Sequence, residues 1–316
     1  MKSIAMRPSR PTLLALALAA AFAPAYAADE EKKDNAVEAA VTVGAGLVSG
    51  SEADQALYGQ YHSFAGRRDF GPLLGIDYSL RRPDTATWVD FQASDLLGSQ
   101  REANVLYKKV GDWRFGARYN ELTRREPHAV IDPTGAESRL QTKRTGLGFN
   151  YWRSLTRSLK FEADVKYEEK KGSRLFGHGF ACPSAYAPGC LPGSLVATGS
   201  AVLLTPEPID ASHTQVEARF AYAEGPLRFA LGYYGSFYRN DIGSLVSGVG
   251  GTLNNAVGTP LPLSAGLQAI LNQPIALPPD NQAHQIDFSG SYDFSGNSGA
   301  GAANVPYIQL LQCQKS

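Results

Sequence analysis

A chain of 316 residues in which 30 Lys and Arg balance 30 Asp and Glu has no basic surplus with which to grip a nucleic acid. Beyond the first residues no stretch reaches 18 consecutive apolar side chains, which excludes membrane crossing by helices. With 32 Gly, 15 Tyr, 14 Phe and a mean hydropathy of −0.22, the composition suits a transmembrane β-barrel, where only every second strand residue faces lipid.

The chain begins with an export signal. Lys2, Arg7 and Arg10 precede the apolar run Leu13 to Phe22, and Ala25-Tyr26-Ala27 supplies a small-x-small cleavage site. An apolar run of about ten residues is half of what a spanning helix needs. Residues 1–27 therefore read as a signal peptide, and their removal leaves 27 basic against 30 acidic side chains. Residues 28–36 form a short periplasmic segment ahead of the first strand.

From residue 37 to 296 the apolar period is two. Strands are predicted at Ala39 to Leu47, Leu73 to Leu80, Thr87 to Ser94, Glu102 to Lys108 and Trp113 to Asn120. Five more follow at Thr145 to Trp152, Leu159 to Glu168, Gln215 to Tyr222, Leu227 to Arg239 and His284 to Tyr292. The clearest is Leu159, Phe161, Ala163, Val165 and Tyr167, alternating without a break against Lys160, Glu162, Asp164, Lys166 and Glu168. At helical spacing the same charges would scatter round the cylinder. These ten strands fit an all-β, antiparallel up-and-down transmembrane barrel.

Connection lengths alternate as such barrels require. Short turns fall at Arg82-Pro83-Asp84, Val110-Gly111-Asp112, Arg153 to Ser158 and Glu224-Gly225-Pro226. Long segments fill Val48 to Phe70, Thr123 to Leu140, Lys170 to Ala211 and Asp241 to Ala283, with the shorter Leu96 to Gln100 on the same side. A periplasmic N-terminus places the long segments outside the cell. Tyr78, Trp88, Tyr107, Trp113, Tyr151, Trp152, Tyr222, Tyr238 and Tyr292 lie near strand ends and are expected to form interfacial girdles. In the last long segment, Ser264 is positioned to cap a short helix through Leu267, Ile270 and Leu271 that Pro274 stops.

Few residues point to chemistry of the chain's own. Cys182 and Cys190 bracket a Pro- and Gly-rich stretch and are expected to form a disulfide in an oxidising compartment; Cys313 is left over. His178 beside these cysteines lacks the ligand set of a zinc site. Asp210 and His213 could be read as rim residues of a barrel hydrolase, but no motif around them supports it. No Cys-x-x-Cys-His occurs, so the chain attaches no c-type haem of its own. Catalytic, cofactor and metal residues are accordingly not assigned. Asp77, Arg114, Arg118, Glu162, Asp164, Lys166, Glu217 and Arg219 are expected to face the lumen. There they either solvate a water-filled interior or contact a protein held inside.

Several words in the second half of the chain resemble the MtrB/PioB family of decahaem-associated outer-membrane proteins. They are Pro206-Glu207-Pro208-Ile209-Asp210, Thr214-Gln215-Val216, Leu231-Gly232-Tyr233-Tyr234-Gly235-Ser236-Phe237-Tyr238-Arg239-Asn240-Asp241 and Leu277-Pro278-Pro279-Asp280-Asn281-Gln282-Ala283-His284-Gln285. The resemblance covers about residues 40 to 296. It implies an outer-membrane sheath around a periplasmic multihaem c-type cytochrome, with haem c carried by that partner and an extracellular cytochrome as a further partner. Barrels of about eight strands are filled by side chains, whereas those of about 22 hold a plug, so ten strands would be part of a larger barrel. The competing reading is a small closed porin or adhesion barrel without a cytochrome. After Ser295-Gly296 the alternation gives way to Gly- and Ala-rich sequence, so residues 297–316 read as an irregular tail, and a frameshift just after Gly296 that brings an early stop is expected.

Overall fold

The computed structural model of the chain describes residues 35–47, 49–59, 70–182, 199–253, 261–293 and 302–313. The signal segment lies outside the described residues. The main element is one antiparallel sheet of eleven strands whose spatial order is the chain order. They are β1 (Ala36–Leu47), β2 (Phe70–Arg82), β3 (Thr87–Ser94), β4 (Gln100–Lys109), β5 (Trp113–Arg125), β6 (Gln141–Ser154), β7 (Leu159–Cys182), β8 (Gly199–Glu224), β9 (Leu227–Asn240), β10 (Asn281–Asp293) and β11 (Ala302–Cys313). All ten predicted strands are present. Among the described residues β1 and β11 are the two edges, so the sheet is open.

Period-two alternation dictates the architecture, because cross-strand partners share a face. One row across nine strands reads Ala39, Tyr78, Phe91, Val105, Ala117, Phe149, Val165, Val216 and Gly235. Its neighbour, one residue along each strand, reads Ala40, Asp77, Gln92, Asn104, Arg118, Gly148, Lys166, Gln215 and Ser236. The sheet therefore has an apolar face and a polar face across these nine strands. On β9 the apolar face runs from Leu227 to Phe237 before Arg239 interrupts it. Ten steps of about 3.3 Å, tilted by about 40°, rise about 25 Å, the height of a barrel's apolar band. No helix among the described residues is long and apolar enough to cross a membrane.

The apolar face carries an aromatic belt at the short-turn end. Tyr107 meets Trp113 edge-on at 4.7 Å between centroids, Phe161 meets Phe220 at 4.8 Å, and Tyr222 stacks on Phe229 at 4.9 Å. Three of the residues expected in a girdle belong elsewhere. Trp88, Trp152 and Tyr238 pair with Lys108, Glu162 and His213, which places them on the polar face. There Trp88 packs beneath the cations of Arg81 and Lys108, at 4.9 and 4.3 Å from its ring centre.

The segment Lys170 to Ala211, expected to be loop, is mostly sheet. β6 stops pairing with β7 at Gly172 and β9 stops pairing with β8 at Ala211, yet β7 and β8 continue together to Cys182 and Gly199. The result is a two-stranded ribbon that stands clear of the main sheet at the long-loop end. Gly172 marks its base at φ +126°, where a Cβ would overlap the Gln141 carbonyl, so only glycine fits. The ribbon packs on the 126–140 connection, burying Leu140, Leu203, Thr205 and Glu207. Arg174 holds Glu207 with two bonds of 2.7 and 2.8 Å.

Other long connections are also built. Helix α1 (Glu52–Gly59) starts on a capping box: the Asp54 amide donates to Ser51 Oγ while the Ser51 amide donates to Asp54 Oδ2. Arg139 ties this helix to the 126–140 segment through Glu52 at 2.8 Å. Helix α2 (Ala265–Leu271) forms where expected, with Ser264 Oγ accepting from the Leu267 amide. It buries Leu267 and Leu271 with Leu245 and Val249. The expected irregular tail differs from the structure, since Ala302–Cys313 forms β11 on β10 across a register shift between Phe288 and Gly290.

Candidate functional site: the polar face of the sheet

All eight charged residues expected in the lumen lie on the polar face. Asp77, Arg118 and Lys166 belong to the row given above. Asp164 and Glu217 face each other across β7 and β8 in the next row, and Glu162 faces Arg219 one row beyond, continuing to Arg114 through Trp152. Their grouping follows from position alone: each has the parity of its strand's polar set.

Two hollows open on this face, of about 910 and 760 Å³. The first is lined from six adjacent strands and includes Asp77, Gln92, Asn104 and Arg118. The second, also lined from six, includes Arg114, Glu162, Asp164, Glu217 and Arg219. A single sheet lines such hollows only if it curls toward them, so the polar face is the concave one.

The lining is kept low by glycines opposite polar side chains. A Cβ at Gly146 would overlap the carboxamide of Asn120, and one at Gly232 would overlap the carboxylate of Asp287. Each polar side chain thus lies flat across the facing strand instead of standing into the space. Hydrogen bonding along the wall is partial. Arg118 Nε donates to Asn104 at 3.3 Å, Lys166 meets Asp164 at 3.1 Å and Gln215 Nε2 donates to Tyr234 at 3.1 Å. Asp164 and Glu217 are directly opposed like charges, and Lys166 offsets their repulsion only from the Asp164 side.

The remaining candidates separate. Asp210 and His213 take opposite faces: Asp210 lies 3.8 Å from Lys171 on the apolar side, while His213 Nε2 meets Ser236 Oγ at 2.8 Å on the polar side. No shared site joins them. Among the described residues no three His, Cys, Asp or Glu side chains converge in a way that could hold a metal ion. The expected Cys182–Cys190 pairing lies outside the described residues, with only the backbone of Cys182 placed, at the end of β7. Sequence reading missed Tyr234, Gln285 and Asp287, which line the second hollow. Their parity with Gly232 and Ser236 on β9, and across to β10, is the signal that finds them.

An up-and-down antiparallel sheet with a belted apolar outside and a polar, concave inside is the wall of an outer-membrane β-barrel. The family model described as "Putative outer membrane beta-barrel porin, MtrB/PioB" matches residues 51–307. The chain belongs to the MtrB/PioB family, and the match continues past Gly296 through the start of β11. A search of curated proteins found no match.

Proposed function

We propose that this chain forms part of a wide outer-membrane barrel that sheathes a multihaem c-type cytochrome, so that electrons cross the membrane along the partner's haems. The sheath is non-catalytic and carries no cofactor. It insulates the haem chain from lipid and holds it in register by hydrogen bonds and ion pairs from its inner wall. The long-loop end faces the outside of the cell, where an extracellular cytochrome can meet the conduit.

The observation that carries this reading is the polar face itself. It is continuous across the sheet, mixed in sign, lowered by facing glycines and only partly satisfied by its own neighbours. An ion-selective pore would favour one sign in a ring, whereas mixed charge suits a protein surface of complementary pattern. Family membership supports the same partner class. The open sheet gives no support to a small closed barrel.

The test is purification of the membrane-embedded chain, without overexpression, followed by haem staining. A co-purifying band that binds haem covalently is expected. It should be lost when Arg114, Glu162, Glu217 and Arg219 are all replaced by Ala. Recovery of the chain as a stable, haem-free barrel would count against the sheath.

A further inference from the structure

At the long-loop end the apolar face stops sharply. Its last apolar row is Ala103, Tyr119, Leu147, Tyr167, Thr214 and Phe237. One row further out come Arg101, Glu121, Thr145, Glu169, Ser212 and Arg239, and beyond them Thr123, Lys143, Lys171 and Asp210. Aromatic rings thus lie immediately below a charged band, the order met on passing from acyl chains to headgroups.

This band is built, not merely charged. Glu121, with its side chain only 10% exposed, accepts from Tyr119 Oη at 2.7 Å. It also draws Lys143 Nζ to 3.0 Å and Arg101 Nη1 to 3.5 Å. Lys171 is held likewise by Glu169 at 2.8 Å. Lys143 and Lys171 are nevertheless direct cross-strand partners, a like-charge pairing that Glu121 and Glu169 offset from one row nearer the apolar face and that a further anion between the two ammonium groups would stabilise. Arg125 stands one row above, beside Gln141. Lys143 and Lys171 reach outward, 51 and 53% exposed, while Glu121 and Glu169 lie deeper at 10 and 35%; Arg101 and Asp210 are equally exposed, at 42 and 41%. The outward aspect is cationic although the cluster is nearly neutral.

At the short-turn end of the same face Arg82, Lys109 and Arg153 are separated by Thr87 and Trp113. No two of them are direct cross-strand partners, so this rim has no opposed pair of cations for a phosphate to bridge.

We propose that Arg101, Lys143 and Lys171 form a binding site on the outside of the barrel for the phosphate groups of an outer-leaflet glycolipid headgroup. Glu121 and Glu169 hold the cations in place, Tyr119 and Tyr167 pack on the lipid's upper acyl segments, and the phosphates bridge the opposed lysines. The site rests on the outer-membrane placement and on the outward direction of the long loops. It does not depend on the cytochrome partner.

The test uses the full chain in nanodiscs of phosphatidylcholine doped with diphosphoryl lipid A or with phosphate-free lipid A, counting lipids retained per protein by mass spectrometry. The chain is expected to retain the diphosphoryl form selectively. The combined variant Arg101→Gln, Lys143→Gln, Lys171→Gln should lose that selectivity by about tenfold or more. Arg101→Lys, Lys143→Arg, Lys171→Arg keeps the charge and should keep the selectivity, which separates binding from folding. Lys109→Gln with Arg153→Gln, at the other rim, should change nothing. Equal retention by the neutralised variant would overturn the proposal. So would equal loss from the Lys109 and Arg153 variant, or full displacement by millimolar inorganic phosphate, which would mark a site for free phosphate instead.

Discussion

Asp164 and Glu217 are two carboxylates directly opposed on a wall that a membrane protein could have filled with neutral side chains. Like charges in this position are destabilising and Lys166 beside Asp164 offsets part of the repulsion, so Glu217→Gln should stabilise the isolated sheet by up to about 1 kcal/mol. The urea midpoint of refolding into phosphatidylcholine vesicles reads it; a lowered midpoint would show that Glu217 has a favourable partner within the chain. The same substitution should weaken retention of the haem protein. A residue whose removal helps folding and harms assembly is one kept for its partner. At this scale the sequence was largely legible, because the parity that places Leu159, Phe161 and Ala163 on the apolar face puts Glu162 and Asp164 on the other. Trp88, Trp152 and Tyr238 lie near strand ends as girdle residues do, but their parity is that of the polar face. Trp88 shares its face with Asp90 and Gln92, which was visible along the chain.

Individual elements were legible where one face is wet and the other greasy, and obscure where both are wet. The ribbon beyond Gly172 and Ala211 shows this, since Ser173 and Arg174 followed by Leu175 and Phe176 carry no alternation once lipid no longer dictates one face. β11 was obscured by Pro306 and the doublet Leu310-Leu311, which break a strict period of two. Part of the ribbon's support is polar and local. In the 126–140 segment Asp132 Oδ1 accepts from the Thr134 amide at 2.8 Å, the Thr134 hydroxyl at 2.6 Å and the Ala136 amide at 3.0 Å. Partial burial works to raise this carboxyl, but these hydrogen bonds outweigh it and hold Asp132 below its ordinary value of 3.8. A depressed carboxylate contributes stability that is complete above the unfolded value and is lost as pH falls through the folded one. The turn should therefore be fully ordered at neutral pH and loosen only below 3.8. The Thr134 and Ala136 amide resonances should titrate together below that point, and Asp132→Ala should abolish their titration. A midpoint above it would contradict the assignment.

For the whole molecule, the decisive property is that two faces of one sheet meet different solvents. A cysteine-free background, with Cys182, Cys190 and Cys313 replaced by Ser, permits single cysteines to report this from the vesicle-embedded chain. Gln92→Cys, Asn104→Cys and Glu217→Cys lie on the polar face and should react with a water-soluble maleimide. Phe91→Cys, Val105→Cys and Ala218→Cys lie one residue away on the apolar face and should react only with a lipid-phase reagent. The alternation separates a barrel wall from a soluble sandwich, in which the apolar positions would be closed to both reagents. Adding the cytochrome then distinguishes a sheath from an open pore. In a sheath the three polar-face positions become protected together while the apolar-face positions are unchanged, because the partner occupies the concave side alone. Continued labelling of all three, with the haem protein bound, would place the partner at the rims and leave the inner wall to water.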